Sequence, residues 1–184
     1  MAELRIDRDG RRYLRVAGIP TIDACGVTIT ARLQPRGAPT GIPRVAVAHA
    51  QHAAGWWIGV NARGRISVGV ATREGPVALP AGDPLREGES AIVTAVVPGR
   101  PGERLEVSVD TGGATPTRAD VVLGSPVLPA RTPLTWGGRF LDRDSLELPF
   151  GGAVADVVIV GGTGTTPVEC AKMLARWEGS IDLG

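Results

Sequence analysis

The chain has 184 residues, enough for one domain of ordinary size, and 43% of them are hydrophobic, so a substantial core can be buried. Twenty basic residues stand against 19 acidic ones, and this near balance gives no sign of a nucleic-acid surface or an anionic membrane partner. Neither a run of 18 apolar residues nor an apolar stretch after Met1 is present, so no membrane span and no secretory signal is expected.

Gly (26) and Pro (15) are about twice as frequent as usual and are spread between short apolar runs, which reads as many turns. Leu4 and Ile6, then Tyr13, Leu14 and Val16, flank Asp9 and Gly10, a strong hairpin signal. Residues 27–33 alternate Val, Ile, Ala and Leu with Thr, Thr and Arg, as a half-buried strand does. Residues 35–43 hold three prolines and two glycines and read as a loop. Residues 44–50 and 56–60 are strands, and residues 61–64 turn the chain into a second hairpin with Ile66, Val68 and Val70. Pro76, Pro80, Gly82 and Pro84 mark another expected loop.

Residues 91–97 are almost wholly apolar and read as a strand in mid-sheet or buried on both faces. Leu105, Val107 and Val109 alternate with Glu106 and Ser108. Shorter strands are expected at 121–123 and 134–136, and a longer one at 153–160. Thr166, Pro167 and Glu169 form a helix-start pattern, and Met173, Leu174 and Trp177 follow at helical spacing, so a short C-terminal helix is expected. With no crossover helices between some eleven or twelve strands, a sandwich or barrel is favoured, and residues 1–184 parse as a single domain.

Several of these segments, in this order, resemble the concanavalin A-like lectin superfamily, in particular its laminin-G-like domains. Residues 13–18 look like the opening strand and residues 26–33 like the following "sfTisawv" strand. Residues 55–60 with 64–68 are similar to the "Gw-l-l…G-l-f" hairpin, and residues 105–112 to the "l-lyvDG" strand and turn. Residues 134–138, 150–159 and 166–177 resemble the closing segments. The usual "WHhva" is absent, and Glu89, Ser90, Ala91, Ile92 and Val93 stand in its place. The resemblance implies an all-β, two-sheet antiparallel jelly-roll sandwich. Members include sugar binders, adhesion modules, glycosidases and capsid or tail parts, so the fold does not choose the function.

The chemistry-bearing residues narrow the choice. Asp142, Asp144 and Glu147 approach the carboxylate spacing of the superfamily's glycosidases, but they lie where a polar loop is expected. They are weak calcium candidates, since calcium needs six or more oxygens; otherwise no cofactor or metal is expected. His49 and His52 straddle a strand end, offer two ligands where three or four are needed, and read as surface-loop residues. Cys25 and Cys170 read as buried thiols, with a disulfide left open.

On a strand Trp56 and Trp57 face opposite ways, so Trp56 goes into the core and Trp57 outward beside Gly59, where it could stack on a sugar or anchor a protein. Trp136 and Trp177 read as packing residues. Trp57, Arg63, Arg139, Asp142 and Asp144 are the candidate ligand or partner contacts, and no catalytic residue is expected. The expectation is a non-enzymatic binding or structural subunit, such as a phage tail or capsid decoration protein acting in assembly or host attachment. Such a protein is homo-oligomeric or part of a larger particle and sits on a virion or extracellular surface without a signal peptide. A stand-alone carbohydrate-binding module is the alternative, a divergent glycoside hydrolase a third reading, and a cytoplasmic site the other location.

Overall fold

A computed structural model describes residues 2–6, 12–16, 26–51, 53–140, 146–162 and 173–183. Its strands in chain order are β1 (Ala2–Ile6), β2 (Arg12–Val16), β3 (Val27–Pro35), β4 (Arg44–Gln51) and β5 (Ala54–Val60). Next come β6 (Arg65–Thr72), β7 (Gly75–Pro84), β8 (Ala91–Val97), β9 (Arg104–Asp110) and β10 (Thr117–Val122). The last are β11 (Leu134–Trp136), β12 (Arg139–Phe140), β13 (Leu146–Glu147), β14 (Gly152–Gly161) and β15 (Met173–Asp182).

These strands form a two-sheet sandwich, almost wholly antiparallel. The nine-stranded sheet runs β1-β2-β11-β4-β5-β6-β7, with β12 and β13 attached beside β4. The six-stranded sheet runs β10-β9-β8-β3-β14-β15. Alternation fixes which side of each strand meets the other sheet. On β3, Val27, Ile29, Ala31 and Leu33 are buried, while Thr28, Thr30, Arg32 and Gln34 face away. Those apolar sides meet Trp56, Ile58, Ile66, Val68, Leu105 and Phe150 in the main core. Each such large side chain contributes about 1.5–3 kcal/mol on burial, so the inner faces hold the fold together.

The turn between β5 and β6 shows how local sequence sets register. Asn61 Oδ1 accepts from the backbone N–H groups of Arg63 (2.9 Å) and Arg65 (3.1 Å), and Gly64 takes φ 79°. That turn leaves Val60 paired with Ile66 and Trp57 with Gly69.

Two expectations are corrected and one alternative is resolved. The segment with Pro76, Pro80 and Pro84 is the strand β7, not a loop. Among the described residues it pairs with β6 alone and forms the sheet's edge. Pro76 and Pro80 are four residues apart, so both can turn the side lacking an N–H toward the free edge, where no ladder bond is lost. Of the two readings of residues 91–97 the mid-sheet one holds: β8 lies between β9 and β3 and is buried on one face, with Ile92 40% exposed on the other. No helix occurs among the described residues. Met173, Leu174 and Trp177 lie on β15, antiparallel to β14, with Val157 opposite Trp177. A separation of four, as between Met173 and Trp177, returns to the same side in a helix and in a strand, so it could not discriminate. Pairing with β14 decides it, because a ladder along residues 153–160 satisfies backbone groups that a packed helix would leave unpaired. Thr166, Pro167 and Glu169 lie outside the described residues, as do Cys25 and Cys170.

Candidate functional site

The six-stranded sheet carries a groove of about 610 Å³ on its outer face, across β8, β9 and β10. Strand alternation puts Leu105, Val107 and Val109 inward and Arg104, Glu106 and Ser108 outward. Register then aligns these with their neighbours. One row across the sheet reads Thr30, Thr94, Ser108, Arg118. The next reads Thr28, Val96, Glu106, Asp120. Thr30 Oγ1 and Thr94 Oγ1 are 3.2 Å apart, within hydrogen-bond distance.

The charges in this groove are not arranged for stability. Glu106 and Asp120 are direct cross-strand partners, a like-charge pairing that disfavours the sheet. Arg104 ion-pairs with Asp120 and offsets part of that repulsion. Both members of the pair are about half exposed, and such pairs contribute roughly 0–1 kcal/mol. Glu106 and Arg118 have no ion pair or hydrogen bond among the described residues. The groove therefore offers a carboxylate, a guanidinium and a line of hydroxyls to a ligand.

The outer face of the other sheet carries Trp57. It points away from the main core, as alternation requires, and packs in a small cluster with Ala48, Ala50 and Leu148. Its ring lies on Gly69, where a Cβ would fall 2.0 Å from Cε2 and 2.1 Å from Cζ2. The Arg139 guanidinium carbon sits 5.1 Å from the ring centroid, a cation–π contact. Arg139 Nε in turn lies 2.6 Å from Glu147 Oε1, the two side chains being 19% and 25% exposed. A flat ligand stacking on Trp57 would compete with Arg139 for the ring.

Of the residues singled out in the sequence, Trp57, Arg139 and Glu147 are thus brought together. Arg63 is not part of this cluster; it is exposed in the β5–β6 turn. Asp142 and Asp144 lie outside the described residues, and so does His52. Among the described residues no three His, Cys, Asp or Glu side chains converge as a metal site would require. His49 is corrected: it is not in a surface loop but buried on β4, 2% exposed, on the same side as Trp56. The two rings meet edge to face at 6.3 Å. Burial pushes its pKa below the ordinary 6.5, while a hydrogen bond with the Thr132 backbone opposes that shift. Trp136 is buried in the core as expected, 2% exposed.

The groove itself was missed. Its residues come from three strands with no motif. The signal available was the alternation of Glu106 and Ser108 with apolar neighbours, and that does not say which strands lie alongside.

No family model matches this sequence, and no curated protein matches it. Solved structures do. The enzymatically active domain of tailspike protein 2 from bacteriophage CBA120 superposes with a TM-score of 0.64 at 14% identity, over 95% of this chain and 29% of that one. This chain thus spans under a third of the tailspike chain. The native heptameric SAP-like pentraxin from Limulus polyphemus gives 0.57 at 13% identity, over 98% of this chain and 92% of that one. Domains LG4-5 of the mouse laminin α1 chain give 0.49 at 14% identity, over 95% and 46%. The fold is the concanavalin A-like jelly-roll sandwich. No helix of the described residues is long and apolar enough to cross a membrane.

Proposed function

We propose that this chain is a non-catalytic recognition domain that presents the groove of its six-stranded sheet to a glycan, as the attachment component of a virion or other extracellular assembly. The observation that carries this reading is the groove of about 610 Å³, with Glu106, Arg118 and the Thr94 and Ser108 hydroxyls facing an open space. That volume falls within the ordinary range of ligand sites, roughly 300–1,000 Å³. Hydroxyls and charged groups set on rigid strands suit a polyhydroxylated ligand. The tailspike domain supplies the virion part of the reading, as a structural likeness only.

The non-catalytic part rests on the carboxylates. Glycoside hydrolysis asks for one carboxyl to act as acid and a second as nucleophile or base. Asp120 is engaged by Arg104, and Glu147 by Arg139. A glycan array tests the binding claim: the wild type retains ligands, and Glu106→Ala with Ser108→Leu loses them. A blank wild-type array defeats it. Reducing ends released from any polysaccharide, and abolished by Glu106→Gln or Glu147→Gln, would overturn the non-catalytic claim.

A second reading, a subunit whose surface serves assembly alone, is favoured by apolar side chains left in the open. Ile42 is 60% exposed in the loop after β3, and Val122 is 50% exposed on the edge strand β10. Light scattering separates the two readings. A defined oligomer that dissociates on Val122→Lys, with no glycan bound, favours assembly.

A further inference from the structure

Two charged side chains of the groove have no partner among the described residues, and they have opposite sign. Arg104 is taken up by Asp120. Arg118 and Glu106 are left, on adjacent outward rows of β9 and β10. Rows two residues apart along a strand are separated by about 7 Å. One pyranose ring with a substituent at each end can bridge them, over a floor that includes the Ser108 hydroxyl.

We propose that the groove selects an acidic glycan, its carboxylate paired with Arg118 and the hydroxyls at the far side of the same sugar donating to Glu106. This rests on the glycan-binding reading above and narrows it. A guanidinium is a planar fork that matches a carboxylate with two parallel hydrogen bonds. An ionised Glu106 only accepts, so it calls for ligand hydroxyls. With Asp120 opposite it and only one guanidinium, Arg104, between the two carboxylates, the Glu106 end keeps a net negative charge and repels the ligand's carboxylate, which fixes the direction of the sugar. A neutral glycan offers the exposed Arg118 no anion and gains no charge-assisted contact there.

The test is an array that pairs oligogalacturonate, oligoglucuronate and oligosialate with their carboxyl-reduced counterparts, followed by calorimetry on the best pair. The wild type should prefer the acidic member by about tenfold or more, the size of one charge-assisted bidentate contact. Arg118→Ala should erase that preference, and Arg118→Lys should restore part of it, since the charge remains and the fork is lost. Glu106→Gln should weaken both members. If acidic and reduced glycans bind equally and Arg118→Ala changes nothing, the acidic preference is overturned while groove binding stands. If no glycan of either kind binds the wild type, the glycan reading falls and the preference falls with it.

Discussion

Gly69→Ala puts the packing of Trp57 to a quantitative test. Gly69 sits in the interior of β6, opposite Trp57, and its backbone is not left-handed, so an alanine meets no φ penalty there. By propensity alone the change should stabilise the strand by about 0.5–1 kcal/mol. The added methyl, however, would lie 2.0 Å from Trp57 Cε2 and 2.1 Å from Cζ2. Ordinary carbon–carbon contact is about 3.5–4.0 Å, so the ring must withdraw by some 1.5 Å or turn off its rotamer. Overpacking of this kind costs about 1–3 kcal/mol. The clash outweighs the propensity gain over nearly all of that range, and a net loss of roughly 0–2.5 kcal/mol is expected, the two terms being of opposite sign. Urea unfolding followed by circular dichroism measures it, best as a double-mutant cycle with Trp57→Ala. In the Trp57→Ala background the same change should be neutral or stabilising, giving a coupling of about 1–3 kcal/mol. Equal effects of Gly69→Ala in both backgrounds would refute the placement of the ring on Gly69.

Removing the cation from Trp57 should be felt in two readouts. Arg139→Ala deletes the cation–π contact and leaves Glu147 alone at 25% exposure, so a loss of about 1–2 kcal/mol is expected, with greater tryptophan quenching by acrylamide; no change in either would remove Arg139 from the ring. His49 gives a pH signature. Because its folded-state pKa lies below 6.5, the unfolded chain binds the proton more readily. Its contribution is complete above about pH 6.5 and is lost as pH falls through the folded-state value. The urea midpoint of the wild type should therefore drop between pH 7.5 and pH 5 by more than that of His49→Gln; equal drops would contradict burial of the neutral ring.

Much of the sandwich is legible in the sequence, because one-sided burial writes period-two patterns. β3, β9 and the β5–β6 hairpin around Asn61 and Gly64 follow from alternation and turn chemistry. The outward direction of Trp57 follows from its place beside Trp56. What was not legible depends on which strands become neighbours. Proline density at 76, 80 and 84 reads as loop unless the segment is known to be an edge. The segment around Trp177 reads as helix until β14 is seen to need a partner. The groove exists only because β8, β9 and β10 lie side by side, which places Thr94, Glu106 and Arg118 within one site although no motif joins them. His49 belongs with these cases: its burial comes from the parity of β4 against Trp56.

The most direct test of the account is an amide and side-chain NMR titration of the wild type with the tightest glycan from the array. Binding in the groove predicts shifts confined to Thr94, Glu106, Ser108, Arg118 and their strand neighbours on the six-stranded sheet. Shifts centred on Trp57 and Gly69 on the opposite sheet, or no saturable shifts at all, would contradict it.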